Sequence, residues 1–170
     1  KKHITALGFV PKNGTNGIYH KIYVDYAIEI DFEKQSINYG SGIIAESKTT
    51  QNFSQPENFV VLECVDRLLT KGYKPQSIVL EKTWPSGHGT SGRLDICVNR
   101  EGATPYMLIE CKTYGKEYNK ELAKIHKDGG QLFTYFQLSG GKADVIMLYA
   151  SELKGSKFIY VNEIIKIEDD

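Results

Sequence analysis

The sequence predicts a three-layer α/β domain preceded by a β-hairpin. Its 170 residues, 41% of them hydrophobic, are enough to bury one sizeable core. Apolar and polar residues alternate in the first part of the chain, which is typical of half-buried strands. Segments of helical and extended pattern then follow in the order α, β, β, β, α, β, and this order favours a sheet covered by helices.

The N-terminal extension is predicted over residues 1–53 and the core over residues 54–170. Alternation from Tyr23 to Phe32, followed by the β-prone cluster "SINYGSGII", indicates a hairpin or short meander packed on the core. The loop "KTTQNFSQ" then breaks this pattern and separates the extension from the core.

The first helix of the core is predicted to begin near Ser54. Ser54 and Glu57 have the spacing of a capping box, Pro56 suits a first turn, and Gly72 follows the last apolar turn. The apolar positions in between recur at helical period, so one face should pack on the sheet.

The rest of the core alternates strands with one interrupted helix. Gly129 and Gly130 indicate a break or kink in the helical segment "KEYNKELAKIHKDGGQLFTYFQL". The predicted strands are, in order, "SIVLEKTW", "RLDICV", "PYMLIECKT", "ADVIMLYAS" and "KFIYVNEIIKI".

Composition excludes several classes of protein. No apolar run reaches the length of a membrane span, and the N-terminus lacks the apolar core of a signal peptide, so no membrane partner and a cytoplasmic location are expected. Three cysteines without CxxC spacing argue against a disulfide framework or a zinc ribbon. The two Gly-rich stretches, "PSGHGTSG" and "SGGKA", lack the Gly-x4-Gly-Lys-Ser/Thr order of a phosphate-binding loop. Because the chain begins at Lys1 without a methionine, it is expected to be a piece of a longer protein.

The net charge weighs mildly against a free-standing nucleic-acid binder. The 21 basic and 21 acidic residues give a formal net charge of zero, whereas phosphate neutralisation usually requires a basic surface. Nucleic acid stays open as a partner if the positive residues are gathered locally or if another domain does the binding.

Charged residues occupy places in two predicted strands where aliphatic residues would be expected. Alternate side chains of a strand share a face, so Glu110 and Lys112 lie on one side of their strand and Cys111 on the other. If the preceding strand pairs with it, Asp95 can face the same cleft. The sequence therefore predicts that two carboxylates and one ammonium converge at one end of a sheet.

That convergence favours a divalent cation. Unpaired buried carboxylates are costly, and one lysine does not balance two of them. Two carboxylates, a backbone carbonyl and water are hard oxygen ligands that suit Mg²⁺, for which Mn²⁺ would substitute. A cation held in this way activates water and stabilises charge on a phosphoryl oxygen, which indicates phosphodiester hydrolysis.

The ExK spacing is weak evidence by itself. It occurs at Glu46–Lys48, Glu110–Lys112 and Glu152–Lys154. Only the middle copy ends an apolar strand and follows a strand that carries an aspartate. The other two copies are interpreted as surface charges.

The ordered motifs resemble the PD-(D/E)xK nuclease superfamily. "GRLDICV" followed by "LIECK" matches its acid, acid and lysine, although Leu94 stands where the family often has proline. "QLFTY" matches the QxxxY motif on the helix after the active-site strands. Residues 54–150 look most like the N-terminal nuclease region of Type I or fused restriction-modification polypeptides. The resemblance implies a restriction-endonuclease-like three-layer α/β/α core with a mixed central sheet.

The resemblance also implies roles for the site residues. Asp95, Glu110 and the carbonyl of Cys111 would hold the metal, and Lys112 would act on the attacking water. Gln131 and Tyr135 would steady the site or contact the DNA backbone. Some relatives have a further metal-binding glutamate on the first helix. Glu57 is the candidate here, and the capping-box partner of Ser54 is the alternative reading.

The implied partners are double-stranded DNA and the other parts of a restriction-modification complex: methyltransferase, motor or specificity domains. Lys116 and Lys120 begin a lysine stripe that could follow a phosphate backbone, and a solvated helix face shared with Glu117 and Glu121 is the other interpretation. A structural ion cluster remains the alternative for the carboxylates, and a retired nuclease fold that docks DNA or protein remains the alternative function.

Overall fold

The computed structural model describes residues 1–85 and 92–167, which form a mixed α/β fold with two sheets. The helices are α1 (Lys2–Ala6), α2 (Glu57–Thr70), α3 (Lys116–Asp128) and α4 (Gly130–Leu138), with a short 3-10 turn at Pro75–Ser77. The strands are β1 (Val10–Pro11), β2 (Ile18–Ile22), β3 (Ala27–Asp31), β4 (Ser36–Asn38), β5 (Ile44–Ala45), β6 (Ile78–Lys82), β7 (Leu94–Asn99), β8 (Pro105–Cys111), β9 (Val145–Lys154) and β10 (Lys157–Lys166).

The N-terminal sheet is an antiparallel meander in the order β1-β2-β3-β4. Alternate residues of β3, Ile28 and Ile30, are fully buried, as expected for a strand with one face on the core. The predicted hairpin or meander is therefore confirmed. No sequence pattern indicated α1, because five residues are too few to show a helical period.

The second sheet is mixed and has six strands in the order β10-β9-β8-β7-β6-β5. β8 pairs in parallel with β9, and β5 pairs in parallel with β6, whereas the other neighbours are antiparallel. All the strands predicted for the core are present. The edge strand β5 comes from the segment before residue 53, so the N-terminal extension contributes to this sheet.

Helices cover both faces of the six-stranded sheet. Met107 and Ile109 of β8 pack in the cluster that contains the apolar side of α2, while Leu108 packs in the cluster that contains α3 and α4. Strand alternation predicts that Leu94 and Ile96 of β7 share a face, and this is wrong, because Leu94 packs in the cluster of α3 and α4 whereas Ile96 packs in the cluster of α2. The expected alternation fails at this strand end.

The start of α2 differs from the prediction. The helix begins at Glu57 after Pro56, and no side chain caps it, so the predicted capping box between Ser54 and Glu57 is wrong. The Ser54 hydroxyl instead donates to the carboxamide oxygen of Asn52. Glu57 is therefore free of the capping role.

The predicted break after α3 is confirmed at Gly129, which ends one helix and precedes the next. Its φ of 88° lies in the left-handed region that favours glycine. A Cβ atom built at this position would come within 2.5 Å of the Phe133 ring. Both the turn and the close approach of Phe133 therefore require glycine.

Replacing Gly129 should test this requirement. We expect Gly129→Ala to lower the free energy of unfolding by about 2–3 kcal/mol, because it adds a clash to the strain of a left-handed alanine. Gly102→Ala is the matched control, since Gly102 has a φ of 82° and nothing within 4 Å of a Cβ. Urea unfolding of both variants measures the difference, and equal losses would show that the approach of Phe133 is unimportant.

Candidate functional site

Three carboxylates lie side by side across neighbouring strands at one end of the six-stranded sheet. The register pairs Ile96 with Ile109, so the next position sets Asp95 of β7 opposite Glu110 of β8. The register of β6 and β7 likewise sets Glu81 opposite Asp95. Residues opposite each other on adjacent strands are direct neighbours, so the sheet itself gathers these acids.

Asp95 is tied to the neighbouring strand through the main chain. Its Oδ2 atom accepts a hydrogen bond of 2.8 Å from the N–H of Cys111. The Cys111 side chain is buried, where contact with Cys64 and the apolar surroundings keep the pKa of its thiol well above the ordinary value. Cys111 can therefore serve a cation only through its carbonyl.

Glu110 is buried beside Lys112. The Nζ atom of Lys112 lies 3.4 Å from Oε1 of Glu110, and the main-chain N–H of Lys112 donates to the carbonyl of Tyr149 at 2.9 Å. The second carboxylate oxygen of Glu110, Oε2, is buried without a hydrogen-bond partner among the described residues. A buried, unpartnered carboxylate oxygen is costly and marks a place for a ligand.

The surroundings of the two acids favour their protonated forms. Burial raises the pKa of Asp95 to about 7, with a further rise from Glu57, while the Cys111 N–H and Lys112 oppose it. Burial also raises the pKa of Glu110 well above its usual range, and the charge of Asp95 adds to this. Shifts of this kind, produced by burial and like charge, are typical of functional sites.

Lys112 stays charged in this cleft. Burial lowers the pKa of its ammonium, but the negative charges of Glu110, Glu57 and Asp95 outweigh burial and leave the pKa above the ordinary value. One positive charge thus faces several carboxylates. The remaining negative charge must be balanced by protons or by a cation.

Glu57 reaches the same cleft from the first turn of α2. Burial raises the pKa of its carboxyl, and Lys112 opposes that rise. Glu57, Glu81 and Asp95 line a cavity of 320 Å³. The next residue, Asn58, is buried and donates to the carbonyls of Thr49 and Asn52, which fixes the start of α2 against the preceding loop.

Glu81 was missed by the sequence reasoning. It is buried at the end of β6, its backbone has a φ of 53°, and its carboxylate accepts from the main-chain N–H of Thr49 at 3.1 Å. The signal was present in "SIVLEKTW", where an acid follows an apolar strand as it does in "MLIECK".

Tyr135 lies behind the carboxylates. Its side chain is buried, and its hydroxyl donates a 2.9 Å hydrogen bond to the carbonyl of Arg93, just before β7. Burial raises its pKa, and the charges of Glu110 and Asp95 add to that rise. A Cβ on Gly92 would lie 2.5 Å from the Tyr135 hydroxyl oxygen, so glycine there permits this contact. Tyr135 thereby steadies the strand that carries Asp95.

The other predicted site residues lie on the surface of α3 and α4. Lys116 and Lys120 are exposed on α3, and Gln131 is exposed in the first turn of α4. Gln131 does not bond to the free oxygen of Glu110, which has no partner within the described ranges. A DNA contact for these residues remains a prediction.

Glu121 does not belong to the solvated face of α3 that was one of the two interpretations, although Glu117 and the lysines of that face are exposed. It is only 5% exposed, and its Oε1 atom has no hydrogen-bond partner in the part of the chain that the structure describes. Glu121 lies three residues after Tyr118 and four before Ile125, so it shares the buried face of α3 with these two residues. That spacing could have identified it from the sequence.

Two histidines lie near the predicted site residues in the sequence, one in the Gly/Ser-rich loop before Asp95 and one on α3. The loop histidine, His88, lies in residues 86–91, outside the described residues. His126 is exposed and lies 3.5 Å from a carboxylate oxygen of Glu163, on a solvent-facing part of α3 and β10.

Asp95 and Glu110 fit a hard divalent cation. They offer carboxylate oxygens, one of which lacks a partner, and Cys111 can add its carbonyl. Among the described residues, no group of three or more His, Cys, Asp or Glu side chains is arranged to hold a metal. A cation would therefore depend on main-chain oxygen and water as well as on these two carboxylates.

Comparisons with known proteins name no family. No family model matches the chain, and no curated protein is similar to it at a significant level. No helix in the described ranges is both long and apolar enough to cross a bilayer. The functional argument therefore depends on the geometry of the carboxylate cleft.

The raised pKa of Asp95 predicts a pH-dependent stability. The folded protein keeps this proton up to about pH 7, whereas the unfolded chain releases it near pH 4, so between these values the folded state binds more protons. In metal-free buffer the free energy of unfolding should therefore fall as the pH rises through this window. Denaturant unfolding at several pH values measures this dependence.

Asp95→Asn is the control, because it removes the titration but keeps an oxygen that can accept from the Cys111 N–H. Burial lowers the pKa of His3 to about 4, so His3 makes the free energy of unfolding rise with pH. This contribution is the same in the wild type and in Asp95→Asn. The fall should be smaller in Asp95→Asn. An identical pH dependence in both proteins would contradict the buried, proton-holding state of Asp95.

Proposed function

We propose that this chain is the cleavage domain of a Mg²⁺-dependent DNA endonuclease. The observation that carries the proposal is the pair of half-buried Asp95 and buried Glu110, with an unpartnered oxygen on Glu110 and the Lys112 ammonium 3.4 Å from its other oxygen. Acid, acid and lysine on adjacent strand ends are the arrangement that the resemblance to PD-(D/E)xK nucleases implies for metal-dependent phosphodiester hydrolysis.

The residues of the cleft have different proposed roles in hydrolysis. Asp95, Glu110 and the Cys111 carbonyl would hold Mg²⁺, which supplies an acidic water and neutralises charge on the phosphoryl oxygens. Lys112 would orient the attacking water and donate a hydrogen bond toward the phosphate. Glu57 and Glu81 line the neighbouring cavity, where either can accept a proton or a hydrogen bond from water.

The fold is in keeping with this proposal. A mixed sheet with α2 on one face and α3 and α4 on the other suits a restriction-endonuclease-like three-layer core. The order Asp95, Glu110–Lys112 and then Gln131–Tyr135 on the following helix suits the nuclease region of a Type I or fused restriction-modification protein. A chain with no net charge would depend on motor, methyltransferase or specificity parts to bring double-stranded DNA.

Metal binding is the first test. Calorimetric titration with Mn²⁺ should give a binding isotherm with the wild-type protein, and Asp95→Asn should weaken binding at least about tenfold, since a neutral amide replaces a charged ligand. Lowering the pH below about 6 should also weaken binding, because protons compete for Asp95. No binding by the wild-type protein would favour a retired nuclease fold that docks DNA or protein.

Cleavage is the second test. We expect the wild-type domain, or its parent protein, to nick supercoiled double-stranded DNA with Mg²⁺ or Mn²⁺, and Glu110→Gln and Lys112→Ala to lower the rate at least about a hundredfold. Lys154→Ala is the matched control, because Lys154 belongs to an exposed ExK pair on β9. Agarose gels follow the loss of supercoiled DNA. Undiminished cleavage in Glu110→Gln or Lys112→Ala would overturn the proposed function.

A further inference from the structure

A second cavity lies beside the carboxylate cleft and has a different character. It has a volume of 520 Å³, within the range of small-molecule sites. Four aromatic side chains line it, and we call it the aromatic pocket: Phe32, Phe53, Phe59 and Tyr114, together with His3 and Ser151.

The three phenylalanine rings of the aromatic pocket form a continuous row with the His3 ring. Phe32 and Phe53 have centroids 5.7 Å apart, Phe53 and Phe59 5.3 Å, and Phe59 and His3 5.4 Å. Such a wall offers a large apolar surface with ring faces and edges, to which a planar aromatic ligand can pack.

Two polar atoms in this wall lack partners. The Nδ1 atom of His3 and the Oγ atom of Ser151 are buried and have no hydrogen bond within the described residues, and Ser151 is only 5% exposed. Burial lowers the pKa of His3 to about 4, so its ring is neutral at pH 7 and can offer one donor and one acceptor. Buried polar atoms of this kind are normally satisfied, so a ligand with polar ring atoms suits the pocket.

The aromatic pocket abuts the carboxylate cleft at two separate points. Pro56 and Thr113 line the pocket, and they are the chain neighbours of Glu57 and Lys112. Adjacent Cα atoms are about 3.8 Å apart, so at each of these two points the chain passes from the pocket wall to the cleft within one residue. A ligand that spans both would place its anionic part near Lys112 and its planar part among the rings.

The charges of the pocket wall agree with this orientation. The Lys1 ammonium lies 5.6 Å from the centroid of the Phe32 ring, where it can attract phosphate. The exposed carboxylate of Glu152 lies in the same wall and would repel a phosphate from that side. The phosphate is thus directed to the lysines, and the apolar pocket is left to the ring.

From these observations we propose that the aromatic pocket binds one unstacked nucleobase of the DNA strand whose phosphate lies at Lys112. A nucleobase is planar, carries ring donors and acceptors for His3 and Ser151, and is joined to a phosphate. Stacking on aromatic side chains is how proteins hold unpaired bases. The inference rests on the proposed function for the identity of the strand, and it adds a binding subsite that selects unpaired or extruded bases.

Binding and cross-linking without divalent cations test the subsite separately from cleavage. The probe is a single-stranded oligothymidylate with one 5-iodouracil, measured by fluorescence anisotropy and then cross-linked by ultraviolet light. We expect Tyr114→Leu to weaken binding about tenfold, the order expected for the loss of one base stack. Tyr114 is 41% exposed, so this substitution leaves the fold intact. Ser151→Ala should weaken binding by a smaller factor.

Tyr106→Leu is the matched control, because Tyr106 lies at the opposite end of β8, beside Arg100. It should bind the probe as the wild type does. Mass spectrometry should place the cross-link on Tyr114, Phe53 or Phe59. A cross-link from a duplex probe as well would indicate an extruded base, and a cross-link from the single strand alone would indicate a base from an opened strand.

The inference is overturned if Tyr114→Leu binds the probe as tightly as the wild type, or if the cross-links map outside the aromatic pocket. Either result leaves the nuclease proposal standing when cleavage still requires Glu110. Loss of Glu110-dependent cleavage with pocket cross-linking intact would instead remove the nuclease proposal and keep a base-binding pocket.

Discussion

The pairing of β7 with β8 is the constraint on which the candidate site depends. It sets Asp95 opposite Glu110, and the N–H of Cys111 holds Asp95 in place. Two carboxylates held together with little access to water lose hydration and repel each other, so both keep protons above the ordinary range. Such a pair does not stabilise the core. Lys112 offsets only part of the negative charge of these carboxylates. A bound cation would offset the rest.

The packing of the sheet protects this register. Successive residues of β8 enter different cores, with Ile109 on the side of α2 and Leu108 on the side of α3 and α4. A shift by one residue would exchange these faces and turn Glu110 away from Asp95. Two hydrogen-bonding side chains steady the edges of the site: Asn58 fixes the start of α2 beside Glu57, and Tyr135 holds the backbone that leads into Asp95. The site therefore depends on the core being well packed on both faces.

The sequence was sufficient for the strands and helices of the core and for the convergence of Asp95 with Glu110, because strand alternation and a short turn determine which residues meet. The sequence was insufficient to predict the surroundings of side chains whose positions depend on tertiary packing. Glu57 matched a capping box with Ser54, yet α2 starts at Glu57 itself, directly after Pro56 and without a side-chain cap, which leaves the Glu57 carboxyl for the cleft. Glu121 was assigned to a solvated face because charge patterns do not report which helix face a sheet covers. The aromatic pocket could not be predicted, since its rings come from distant segments of the chain.

A crystal structure of the protein soaked with Mn²⁺ would test the central claim most directly, because the anomalous scattering of manganese locates the ion without reference to activity. The account predicts a peak between the carboxylates of Asp95 and Glu110, within about 2.0–2.4 Å of an oxygen of each and of the Cys111 carbonyl. A peak elsewhere, or a fully soaked crystal whose two carboxylates remain bonded only to protons and to Lys112, would contradict it.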